Sequence, residues 1–136
     1  MERIQYIPGD LISIYVGVKK YIVGVIGTEN ENEVFLYQVK FPNGEIQYAD
    51  KDNIIPIPLT PEILDNNKWK RLKSKRYTWW KARFDGVHYF IKPNKDYPSV
   101  WELCRGKTKH CFKKIKYVHQ LQHFLFGLDL NSNMNL

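Results

Sequence analysis

Apolar and polar positions alternate along the first sixty residues, with turn residues breaking the pattern at short intervals. Apolar runs at Ile4 to Ile7, Leu11 to Val16, Tyr21 to Ile26, Val34 to Phe41 and Ile46 to Tyr48 are separated by Pro8-Gly9-Asp10, Gly17 to Lys20, Thr28 to Asn32 and Asn43-Gly44. Asn43-Gly44 is a hairpin signal, because both residues tolerate positive φ. Gly24 and Gly27 fall where a tightly curved sheet must bend. Five short strands in this space predict a small barrel over 1–58.

A stiff connector follows, over 59–67. Pro56 and Pro58 each remove a backbone donor, so Ile54 to Ile57 can be only an edge strand fading into an extended segment. Thr60-Pro61-Glu62 opens a short helix: the hydroxyl accepts an orphan N–H, proline suits the first position and the carboxylate complements the helix dipole. Ile63 and Leu64 dock it, and Asn66-Asn67 ends it.

Strand patterning resumes after a basic run and gives way to a helix. Tyr77 to Phe84 and Val87 to Lys92 flank Asp85-Gly86 and read as a hairpin. Short strands are expected at Ser99 to Cys104 and Thr108 to Ile115. Tyr117, Val118, Leu121, Phe124, Leu125 and Leu128 then recur at helical spacing, with His119, Gln120, Gln122 and His123 on the other side. This predicts a second domain over 68–128, an antiparallel sheet covered by its helix, and a polar tail over 129–136. The fold class expected is α+β, with Leu121, Phe124 and Leu125 among the most buried side chains.

Charge divides the chain at the same place. Residues 1 to 60 carry five Lys or Arg against eight Asp or Glu, whereas residues 61 to 136 carry sixteen against six. The net +7 therefore sits in the second half, which points to an acidic partner. Lys68, Lys70, Arg71, Lys73, Lys75 and Arg76 cluster around Trp69, and Lys113 and Lys114 follow later. Cations interleaved with an aromatic suit phosphate contact with base stacking, so these nine residues are the expected nucleic-acid-binding set. Trp79 and Trp80 are neighbours on a strand and must point to opposite faces, so one of them is expected at a protein interface.

Catalytic and metal chemistry find little support in the residues. His119 and His123 share a helix face as zinc ligands do, but Gln120 stands where a metalloprotease has its glutamate. Cys104, His110 and Cys111 are strand neighbours that need not converge. There is no phosphate-binding glycine loop and no nucleophile elbow, so a non-enzymatic protein without metal or cofactor is expected. Two cysteines are too few for a disulfide framework and fit a reducing compartment, and no apolar run approaches a membrane span. A cytoplasmic location, no membrane partner and either nucleic acid or a host or phage protein as partner follow as expectations, with the oligomeric state open.

Two resemblances add to this reading. The first domain's pattern resembles the KOW, Tudor and SH3-like small barrels in shape, with no ligand motif attached. Ile57 to Leu64 and Tyr117 to Gln122 resemble an Ile-Pro-Leu-Thr-Pro-Glu-type segment and a Tyr-Val-His-Gln-Leu-Gln-type helix of uncharacterised small proteins from Bacteroidota genomes, prophages and phages. Asn66-Asn67 stands here for that group's usual Asn-Gly, and the basic run from Lys68 is heavier. The resemblance implies a phage or mobile-element accessory binding protein and carries over no site residues. A phage-derived inhibitor of a host defence system, or a virion component, is the rival implication.

Overall fold

A computed structural model describes residues 6–31, 34–73, 78–106, 110–130 and 132–136. It is mostly β, built as two five-stranded antiparallel sheets with one short helix between them in sequence and one C-terminal helix. The chain falls into two compact units, Met1–Ile57 with Leu121–Asn133, and Pro58–Gln120 with Met134–Leu136.

In the first unit β1 (Leu11–Val16), β2 (Lys19–Glu31), β3 (Val34–Lys40) and β4 (Ile46–Ala49) form a meander, and β5 (Ile54–Ile55) pairs back onto β1. The order is β4-β3-β2-β1-β5, and β4 and β5 remain edges, so the expected barrel is not a closed sheet. A 3-10 turn at Lys51–Asn53 joins those edges, opened by Asp50, whose carboxylate accepts the Asp52 N–H. The Asn43-Gly44 turn forms as its residues predict, with Gly44 at φ 91° and the Asn43 side chain accepting the Glu45 N–H.

Alternation assigns the faces of this sheet. Ile12, Ile14, Val23, Val25, Tyr37, Val39 and Ala49 point to one side and are buried together with Tyr6, Phe41 and Ile54. The opposite side carries the cross-strand row Leu11, Gly24, Lys40 and Ile46. A bulge between Val25 and Gly27 bends β2 and gives Ile26 no partner in the ladder.

The second unit opens with α1 (Pro61–Asp65), where the Thr60 hydroxyl accepts the Ile63 N–H and proline sits in the first turn. Its sheet runs β10-β9-β8-β7-β6, from β6 (Lys70–Lys73), β7 (Thr78–Phe84), β8 (Val87–Pro93), β9 (Trp101–Arg105) and β10 (His110–Ile115). Asp85 and Gly86 both have positive φ, which makes the β7–β8 connection a tight two-residue turn. Trp80, Ile91, Leu103 and Trp101 lie on one face and are buried, as are Leu64, Trp69 and Val118. The Trp101 indole N–H donates to the Leu59 carbonyl at 2.9 Å, fixing the extended segment to the sheet.

α2 (Val118–Gly127) departs from expectation in two ways. Gln122 and His119, expected on the polar side, are buried at 1% and 5% exposure. The helix was also expected to belong wholly to the second sheet, yet from Leu121 onward it groups with the first unit. The cause is Gln122, whose amide accepts the Leu11 N–H and donates to the carbonyls of Gly9 and Ser132, and His123, which meets Asp10. A helical wheel cannot anticipate that a polar face will be claimed by a turn more than a hundred residues earlier. Leu121 and Leu125 are buried as expected, while Phe124 is half-buried.

Candidate nucleic-acid interface

The second sheet has a face, opposite Trp80, that gathers most of its cations, with Phe90 and Cys104 buried among them. Strand alternation and register put Lys70 and Leu72 of β6, Trp79, Lys81 and Arg83 of β7, His88, Phe90 and Lys92 of β8, Glu102 and Cys104 of β9 and Lys114 of β10 on the side opposite Trp80. Five of these residues are Lys or Arg and one is acidic.

Their spacing is set by the ladder. Lys70 stands directly across from Lys81, and Lys81 from Phe90; one row along, Leu72 faces Trp79 and Lys92 faces Glu102. Arg83 faces His88. Like charges directly opposite repel, so the Lys70–Lys81 pair is an unfavourable feature of the isolated sheet. An anion lying between the two ammonium groups would relieve it.

Aromatic rings are set among the cations. The Lys92 ammonium lies 4.9 Å from the Trp79 ring centroid, and the Lys81 ammonium 6.0 Å from that of Phe90. Trp79 and Phe90 meet edge to face, with centroids 6.1 Å apart. Lys92 also pairs with Glu102 at 3.5 Å. Trp79 is half-buried.

Only part of the set expected from the sequence lies on this face. Lys70 and Lys114 do. Trp69 does not: it is 3% exposed and packs edge to face on Phe84, so it is core and no stacking platform. Arg71 and Lys73 belong to the other face, where Arg71 bonds the Asp65 carboxylate and lies 5.1 Å from the Trp80 ring centroid. Lys113, beyond a bulge, pairs with core-facing Leu103, although it is itself exposed. Lys68 is exposed in the turn before β6. Lys75 and Arg76 lie outside the described residues. Of the two tryptophans, Trp79 is on the interface face, while Trp80 is buried and donates its indole N–H to Asp65 at 2.9 Å.

Lys81, Arg83, His88, Phe90 and Lys92 were not singled out from the sequence, although the signal was present. A two-residue turn at Asp85-Gly86 fixes the register, and alternation from Trp79 then gives every residue of this face on β7 and β8.

Asp65 ties the opposite side together. The hydrogen bonds from Arg71, then that from Trp80, hold its carboxyl below the ordinary 3.8. With the folded value below the unfolded one, its stabilising contribution is present above the unfolded pKa and is lost as pH falls through the folded pKa. Asp65→Asn is therefore expected to flatten the acid limb of stability below about pH 4. Urea midpoints across that range check this; an unchanged acid limb would remove the carboxylate from the account.

Two other polar clusters are structural. Asp10 is 1% exposed; its carboxylate accepts the Ile7 N–H and meets His123 Nε2 at 2.6 Å. Burial pushes this carboxyl above 3.8, while the Ile7 N–H and His123 act in the opposite direction. Cys104 and Cys111 are cross-strand partners on β9 and β10 and are joined as a disulfide, so the strand positions that need not converge do so. Among the described residues no group of three His, Cys, Asp or Glu side chains is placed to hold a metal ion. No helix among them is long and apolar enough to cross a membrane.

Comparison with protein-family profiles, curated protein sequences and solved structures finds no match to this chain.

Proposed function

We propose that this protein is a non-catalytic nucleic-acid-binding module that holds a single strand along the basic face of its second sheet. The observation that carries the reading is the Lys70–Lys81 opposition, continued by Arg83, Lys92 and Lys114 around Trp79 and Phe90. A strand of phosphates supplies the counter-charge that the sheet lacks, and its bases supply planar partners for Trp79. A flat sheet face suits an unpaired strand, whose bases can turn toward it, better than a duplex, whose bases are stacked inside.

The same proposal covers the first unit and the biological setting. The strand order β4-β3-β2-β1-β5, with a 3-10 turn leading into β5, supports an SH3-like unit of the KOW or Tudor kind, although its edges do not close. A phage or mobile-element accessory role rests on the two motifs at Ile57 to Leu64 and Tyr117 to Gln122, and a cytoplasmic place of action goes with it.

Fluorescence anisotropy of labelled single-stranded and duplex DNA and RNA, titrated at several salt concentrations, tests this. Five phosphate contacts predict a log–log salt slope of about −3.5 on a single strand. Tighter binding of duplex would refute the single-strand reading, and no binding at low salt would refute the function. A protein complex that survives high salt would support the inhibitor or virion reading in its place.

A further inference from the structure

The first unit carries an unexplained feature at Gly24. Glycine costs stability in a strand interior, so its presence calls for a reason. Neither a backbone that only glycine adopts nor a close approach supplies one, and the bulge lies beyond it, between Val25 and Gly27. Gly24 is not among the residues at positive φ, and a Cβ built on it would meet no atom within 4 Å. Gly27, three residues on, differs: its Cβ would come 3.2 Å from Gln38 Oε1 beside the bulge.

What the missing side chain does is leave a groove. Gly24 lines an open groove of about 490 Å³ together with Ile22, Ile26, Leu11, Phe41 and Pro42. Ile22 and Ile26 are 45% and 39% exposed, although both are large and apolar. Lys40 pairs with Gly24 in the ladder and is the one charged residue lining the groove. Among the described residues it enters no ion pair.

We infer that this groove binds a small amphipathic carboxylate, its apolar body over Gly24 and its anionic group on Lys40. The volume lies within the range of small-molecule sites. A peptide added as a strand is a poor fit, because it draws its affinity from main-chain hydrogen bonds. Here the strand carrying Gly24 is already paired on both sides, with β1 and β3, and the Val25 N–H is taken by the Asp10 carbonyl. The ligand must bring apolar surface and one negative charge.

Decanoate, competing with anilinonaphthalene sulfonate as a fluorescent reporter, tests the inference on the full chain. Saturable one-to-one binding of decanoate is expected. Gly24→Val, whose side chain enters open space, is expected to keep or raise Tm and to weaken decanoate about tenfold or more. Lys40→Gln is expected to weaken decanoate while leaving the neutral alcohol decanol unchanged. Absence of saturable binding, or equal affinity in Gly24→Val, overturns the site. Should Val lower Tm, Gly24→Ala takes its place and must show the same loss.

Discussion

A chain carrying Lys70→Glu and Arg83→Glu is expected to bind single-stranded nucleic acid at least ~100-fold more weakly at low salt, and to unfold at the same or a higher denaturant concentration. Binding falls because two attractive charges become repulsive, leaving about one effective phosphate contact of five; the salt slope should shrink accordingly, toward about −0.7. Stability moves the other way because Glu at position 70 stands opposite Lys81. The substitution replaces a like-charge pair by an opposite-charge pair, contributing about 0.2 to 1 kcal/mol. A merely structural role for these residues would make both quantities fall together. Unchanged affinity would end the nucleic-acid reading, and lost stability would contradict the register of β6 on β7. Reversal at Arg71 is a poor substitute for this experiment, because it breaks the bond to Asp65 on the core side.

Separate alanine substitutions at the two adjacent tryptophans should give opposite results. Trp80→Ala is expected to destabilise the protein by about 3 to 5 kcal/mol, the range for emptying a buried tryptophan site. Trp80 is 3% exposed, packs edge to face on Trp101 with centroids 5.4 Å apart, and bonds Asp65 through its indole. Its loss leaves a void and removes one donor from the carboxylate. Trp79→Ala removes a half-buried ring whose neighbours, Lys92 and Phe90, can partly close over the gap, so a stability cost under about 1 kcal/mol is expected. Binding should weaken by about 1 to 3 kcal/mol, the worth of one stacked base. Denaturant unfolding and anisotropy on both variants decide the matter. Equal effects of the two substitutions on binding would mean that Trp79 offers no stacking surface.

Period-two patterning explains why one part of this architecture was readable and another was not. Asn43-Gly44 and Asp85-Gly86 announced their hairpins because the φ > 0 found at Gly44, Asp85 and Gly86 is a local requirement, independent of the rest of the fold. The short helix at Pro61–Asp65 was readable for the same reason, through Thr60 and Pro61. No comparable local signal marks the pairing of β5 with β1, since Ile54-Ile55 makes only two residues of ladder ahead of a proline. In the basic run, density of charge drew attention to residues 68–76 as a block. A strand deals its residues alternately to two faces, however, so that block divides between the core side and the basic side. The proposed interface is assembled from every second residue of four strands, together with a single residue from the fifth. Local charge density is blind to such an arrangement.

The first unit is written discontinuously, its strands before Ile57 and its last helical piece after Leu121. Gln122 reaches back 111 residues to Leu11, and His123 reaches back 113 to Asp10. During synthesis the five strands leave the ribosome well before the residues that cover the Pro8 to Leu11 turn. Until Gln122 arrives, the Leu11 N–H has only water to bond. The nascent first unit is therefore incomplete while the second sheet is being made, and a product truncated before Leu121 would carry all five strands of that sheet and lack the residues that complete the first unit. Such a product should be a better chaperone or protease substrate than the intact chain.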